Sequence, residues 1–430
     1  MRRWRDRVIG LLLATALVIV WWGTRVTQET YKPVSMTVAE STVEPSIPLS
    51  VGNDAMMFEG SLQPREAGVD RNTSQTTVDR AAYTELLYAT CRAMVQQYEA
   101  PDMDSSGEDV DSEGAMNGII GMLEAERTAA AETLAAARTP TQLHGAGLLH
   151  PDRRIKWLGE AASSLPNDAV VQMNFATACL RDEAGLCDAS DSIERLLKID
   201  ADNSEAWVLA TLLRYGKEDK DGALRALEIA ATASRSSSYW PETAAAVYRS
   251  YRASGAADVG VALVDSITLP TQLMPNQLAL IQLCRKEAPN DRRWADGCIA
   301  YGKLAFANYK TLIGGSGATG VAAAGMQAIN ESDAAQAMWR SYRELRHNAP
   351  STALIFLVNA SFDVDGDEFL RHLEALRQYG EIEAMRSRTE IAADWVRELD
   401  IADCAPGDEV PNELREDLLD LKRIVGERSG

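Results

Sequence analysis

The residues from Asp363 to Glu374, DVDGDEFLRHLE, set carboxylates at the first, third, fifth and twelfth positions of a twelve-residue stretch and a hydrophobe, Leu370, at the eighth. Calcium takes roughly six to eight oxygen ligands, and Asp363, Asp365, Asp367 and Glu374 have the spacing that delivers them. The sixth position, where a sharp turn calls for glycine, holds Glu368. The plainer reading is an acidic cap on a helix over 368–379, with Asp365 or Asp367 accepting its first backbone donors. A second acidic stretch, Asp102 to Glu113, has Gly107 in the turn position and Asp109 where the hydrophobe belongs, and reads as a solvated loop. No cofactor is expected, and calcium is kept as the second reading.

Other chemistry-bearing patterns lack their context. GSGATG, Gly315 to Gly320, has the glycine spacing that cradles a dinucleotide pyrophosphate, but the residues before it continue a helical pattern where a strand is required. A small-residue segment where two helices pack closely, or a turn, fits better. The four histidines, His144, His150, His347 and His372, form no H-E-x-x-H pair, and no G-x-S-x-G accompanies them. His144 and His150 bracket GAGLL in an expected loop, at a spacing unsuited to ligation. A catalytic pair of distant carboxylates leaves no local signature.

Charge narrows the partners. With 43 basic against 63 acidic residues, a net charge of −20, the body repels nucleic acid and anionic lipid. The first seven residues run the other way, with four arginines and one aspartate, and precede an uncharged run from Val8 to Thr24. Seventeen helical residues reach roughly 25 Å, at the short end of a membrane span. Positive residues stay cytoplasmic, so the rest is expected outside, facing the periplasm from a bacterial inner membrane. A cleaved signal peptide is the rival, and it exports the body equally.

Export brings oxidation of the six cysteines into play. Cys179 and Cys187 lie at the end of one expected helix and the start of the next, and Cys284 and Cys298 flank another junction. Both pairs permit a disulfide, while Cys91 and Cys404 stay unassigned, and the pattern alone does not choose among pairings. Buried free thiols are the alternative.

The elements that would position these residues are helices nearly throughout, 46% of the chain being apolar and 6% aromatic. The organisation reads as a head and membrane segment over 1–25, an extended stalk over 26–76 and a helical hairpin with an acidic loop over 77–152. Helical repeats over 153–268 and a C-terminal helical region over 269–430 follow. Helix couples open at Asp168, Ser204 and Pro241, 36 and 37 residues apart, a spacing that implies a repeat.

This layout resembles tetratricopeptide-repeat proteins, whose unit of about 34 residues sets a bulky residue early in its first helix and small residues where helices cross. In the middle couple Trp207 takes the tryptophan position, Thr211 the small one, Ala223 and Ala230 the small positions of the second helix and Leu227 its bulky one. Ala210 and Arg214 depart from the family pattern, and in the third couple so do Ala244 and Gly260. The resemblance covers about 100 residues. It implies an all-α, TPR-like solenoid with flanking helices, and a groove lined by positions Gln172, Glu205, Tyr215, Arg249 and Arg252. Arg249 and Arg252 are candidates to meet an acidic peptide tail. The expected function is a non-catalytic, membrane-anchored envelope scaffold or adaptor binding a protein or peptide. The alternatives are an exported enzyme on a helical scaffold and a calcium-responsive helical protein.

Overall fold

The computed structural model describes residues 112–182, 187–255, 259–275, 277–347 and 366–385. The N-terminal apolar run, the stalk, the expected helix over 77–100, Cys91, Cys404, Asp363 and Asp365 lie outside them. Among the described residues the chain is all-helical, with fourteen helices and no strand beyond one isolated bridge between Asn203 and Arg235. No described helix is long and apolar enough to cross a membrane.

A long alanine-rich helix, α1 (Ser112–Ala137), leads into α2 (Pro140–Leu149) and α3 (Arg154–Ser164). Residues 140–149 are therefore a helix, where a loop holding His144 and His150 was expected. Thr139 accepts from Gln142 N and Pro140 stands in the first turn, a start signal strong enough to carry two interior glycines. Those glycines serve close approach: a Cβ on Gly147 would come within 2.8 Å of Leu158.

The three expected couples follow as α4 (Ala169–Leu180) with α5 (Ser190–Ile199), α6 (Ser204–Gly216) with α7 (Lys220–Ala230), and α8 (Trp240–Ser254) with α9 (Val259–Gln272). Asp168, Asn203 and Asp219 cap α4, α6 and α7 through their side chains. Within the middle couple Thr211, Ala223, Leu227 and Ala230 are fully buried, and half-buried Trp207 donates Nε1 to the Ala201 carbonyl at 2.8 Å. Small Ala223 and Ala230 let α7 lie close along α6.

Beyond these come α10 (Gln277–Glu287), α11 (Arg292–Asn308), α12 (Leu312–Ala328), α13 (Ser332–His347) and α14 (Gly366–Tyr379). The GSGATG segment is the interior of α12. Its small residues permit a tight crossing with α11, where a Cβ on Gly302 would sit 2.5 Å from Ala322 N.

The couples do not stack in simple chain order. The first and second touch through α4, α5 and α6, but the helix packed on α7 outside its own couple is α11. The third couple instead sets α8 against α1, α2 and α14. Uninterrupted stacking is thus corrected at the third couple. The cause is the connection: residues 200–203 join the first two couples tightly, whereas the longer loop 231–239 runs back over that junction. Arg235 pairs with Asp200, Asn203 Nδ2 donates to the Ser237 carbonyl at 2.9 Å, and the Tyr239 hydroxyl donates to Asp200 at 2.7 Å. Tyr239 takes a left-handed backbone, φ 55°, immediately before α8 begins.

Two large cores result. Leu134, Leu148, Leu158, Tyr248, Tyr251, Leu263 and Phe369 join α1, α2, α3, α8, α9 and α14. Val208, Leu224, Leu227, Leu283, Trp294, Tyr301 and Val321 join α6, α7, α10, α11 and α12.

Candidate binding cleft

A cavity of about 470 Å³ lies where the first couple turns and α6 ends. Its apolar lining comes from Leu180 of α4, Leu212 and Leu213 of α6 and Ala279 of α10. The Cys179–Cys187 disulfide, Cα atoms 5.6 Å apart, forms one wall and ties α4 to the start of α5. The second disulfide, Cys284–Cys298, joins α10 to α11 with Cα atoms 6.2 Å apart, and both of its residues are fully buried. One wall of the cleft is thus fixed by a covalent link, while the second disulfide lies in the core.

Polar groups on the rim are engaged with one another. Tyr215, at the edge of the cleft, donates its hydroxyl to Glu287 Oε1, and Lys220 Nζ donates to the same carboxylate at 3.0 Å. That carboxyl is held below the usual range by the Tyr215 bond first and then by Lys220 and Lys286. Lys286 also lies 5.3 Å from the Tyr215 ring centroid, a cation–π distance. Asp188 accepts from the Ser190 backbone at 2.9 Å, which with the Ser190 hydroxyl lowers its pKa, and Lys217 Nζ stands 3.7 Å away.

Of the five residues expected to line one groove, Tyr215 alone lines this cleft. Gln172 is fully buried and donates Nε2 to the carbonyls of Ala162 and Leu165 at 2.7 and 2.9 Å, closing the end of α3. Glu205 is also fully buried, its Oε1 accepting from Ser236 Oγ at 2.7 Å and from the Tyr301 hydroxyl at 2.8 Å. Burial raises its pKa against the pull of those hydroxyls. Both expectations are corrected, for different reasons: the end of α3 receives Gln172, while α11 and the loop 231–239 cover Glu205. Arg249 and Arg252 are exposed on α8, in the displaced third couple.

The histidine and calcium candidates are placed as follows. His144 is buried in α2, with Nε2 3.1 Å from Asn174 Nδ2, and Thr243 Oγ1 donates to Asn174 Oδ1 at 3.2 Å. Burial depresses His144 to about 4, so the ring is a neutral acceptor tying α2 to α4. Asp367 lies in the first turn of α14, and Glu374 has both carboxylate oxygens taken. Arg377 Nε donates to Oε2 at 2.8 Å, and Gln378 Nε2 to Oε1 at 2.6 Å. Arg377 holds Glu374 down at about 2. Among the described residues no three His, Cys, Asp or Glu side chains are grouped to hold a metal ion.

Three charged arrangements had no sequence signal because their members are far apart. Arg127 of α1 pairs with buried Asp265 of α9, which also accepts from the Tyr251 hydroxyl. Asp200 and Arg235 are the second. The third sets Arg154 and Arg181 at the end of α9.

Comparison with protein-family models, with curated proteins and with solved structures finds no match for this chain.

Proposed function

We propose that this chain is a non-catalytic scaffold or adaptor, whose tetratricopeptide-like helix couples present a preformed cleft to a protein or peptide. The carrying observation is the cavity of about 470 Å³ with an apolar floor, walled by a disulfide and rimmed by side chains already fixed on one another. An apolar floor with a few placed polar groups suits insertion of one or two partner side chains. Because the disulfide wall is set before binding, less of the ordering cost falls on the protein side. In this reading the uncharged run from Val8 to Thr24 anchors the chain and holds the couples on the far side of the bilayer.

Photocrosslinking tests this directly. A photoreactive residue at Ala279, in the cleft, is expected to capture a discrete partner in the native membrane, while one at exposed Arg225 on α7 is not. Equal capture at both positions, or no partner together with turnover in a broad hydrolase and lyase screen, would overturn the proposal.

A further inference from the structure

Next in the chain to the residues that line the cleft stands positive charge with no acidic partner among the described residues. Leu180 lines the cavity, and the next residue, Arg181, turns its guanidinium onto the end of α9, donating to the carbonyls of Gln272 and Met274. Arg154, the first residue of α3, reaches the same place. Its Nη1 and Nη2 each lie 3.5 Å from Gln272 Oε1, at the outer limit of a hydrogen bond, and its Nε is buried without a partner. Nearby Arg127 is matched by Asp265, whereas Arg154 and Arg181 meet only neutral acceptors among the described residues.

Two neighbouring guanidiniums without a counter-charge are costly, and the more so where water is partly excluded. Their situation is also unexpected in a chain of net charge −20. The carbonyl end of α9 is sufficient reason for Arg181 to lie where it does. It does not account for half-buried Arg154, whose pKa is lowered by burial first and then by the charges of Arg127 and Arg181.

We propose that Arg154 and Arg181 form the acceptor for a carboxylate on an acidic residue of the peptide that occupies the cleft. Guanidinium forks match the two oxygens of a carboxylate and form charge-assisted bonds. Neither arginine itself lines the cavity, but Arg181 directly follows Leu180 of its apolar lining in the chain, and that adjacency is the link that would bring an Asp or Glu beside a buried apolar side chain to the pair. The partner is thereby specified as a segment that alternates apolar and acidic residues. This rests on the cleft reading and adds the charge of the partner.

The test uses the full-length chain in detergent micelles and two labelled octapeptides, alternating leucine with glutamate or with glutamine, with inorganic phosphate as competitor. The glutamate peptide is expected to bind about tenfold or more tightly than the glutamine one, the scale of one hydrogen bond to a charged group. That preference is expected to vanish in Arg154→Gln and in Arg181→Gln, and to return in part in Arg154→Lys, which keeps the charge and loses the fork. Arg154→Gln leaves the α9 carbonyls capped, so its melting temperature serves as the control for folding. Equal affinity for the two peptides, or a preference that survives both substitutions, overturns the inference while leaving the cleft standing. If Ala279→Trp, which fills the cavity, leaves glutamate-peptide binding untouched while Arg154→Gln removes it, the arginine site holds and the cleft reading fails. Phosphate displacing the peptide at equal concentration shows a free-anion site and overturns the peptide assignment.

Discussion

The hydroxyl of Tyr301 on α11 donates to Glu205 Oε1 on α6 at 2.8 Å, joining residues 96 apart in the chain inside a fully buried polar cluster. Glu205 is also reached by Ser236, from the loop that redirects the third couple. One carboxyl thus holds together a helix, its covering helix and the connection between couples. Burial favours its neutral form, which makes stability depend on pH in a stated direction.

Because the folded chain raises the pKa of Glu205, it binds that proton more tightly than the unfolded chain does. The contribution is full below the unfolded value near 4.5 and is lost as pH rises through the folded value. Glu205→Gln, which keeps the shape without the ionisation, is expected to gain melting temperature relative to the parent as pH goes from about 5 to about 8. Thermal unfolding followed by circular dichroism measures it, and a difference independent of pH contradicts the assignment.

His144 acts with the opposite sign. Its folded pKa of about 4 lies below the ordinary 6.5, so its contribution is present above 6.5 and lost as pH falls towards 4. The full span corresponds to about 3 kcal/mol. His144→Gln retains an acceptor for Asn174 and is expected to flatten the stability profile between those limits, measured by urea unfolding at a series of pH values.

The disulfides contribute through the unfolded chain. Loops of 8 and 14 residues correspond to about 2.5 and about 3 kcal/mol. Replacing Cys284 and Cys298 together by serine is expected to cost more than that entropic share, since both side chains are fully buried and serine brings hydroxyls into that core. Replacing Cys179 and Cys187 is expected to widen the cleft wall and reduce peptide binding with a smaller stability loss.

The α11–α12 crossing is tested by glycine. A Cβ on Gly302 meets backbone atoms of Ala318 and Ala322 under 3.0 Å, so Gly302→Ala is expected to destabilise by about 1–3 kcal/mol. Gly121→Ala, with nothing within 4 Å of the added atom, is expected to stabilise α1 by about 0.5–1 kcal/mol. Chemical denaturation of the two variants should give shifts of opposite sign.

Calcium is expected to leave the melting temperature unchanged, because Glu374 is occupied by Arg377 and Gln378. A rise of several degrees that disappears in Asp365→Asn would reverse this.

What was legible in the sequence was local. Asp168 opens the first couple and caps its helix, and the two disulfides join cysteine pairs at adjoining helix ends that the sequence permitted without choosing them. The tetratricopeptide resemblance marked Leu227 and Ala230 as packing positions, and both are fully buried. What was not legible depends on the path of the chain. Nothing local to Glu205 or Gln172 signals that α11 and the loop 231–239 bury the first, or that the end of α3 receives the second. The helix over GSGATG was obscured because glycine lowers helix propensity, and its stability comes from the neighbour it fits. Of the binding cleft, Tyr215 was found from the sequence, while the arrangement of Arg154 and Arg181 depends on a contact with α9 some 90 to 120 residues distant.

Phe369 lies edge-on to Tyr248 at 5.2 Å between ring centres, so a helix near the end of the described chain completes a core begun by the first ones. During synthesis the early helices must therefore wait for a late segment before their aromatic surface is shielded. A chain released before residue 366 would lack Phe369 against the Tyr248 ring, and its fate would be set by chaperones and proteases more than by the strength of its finished couples.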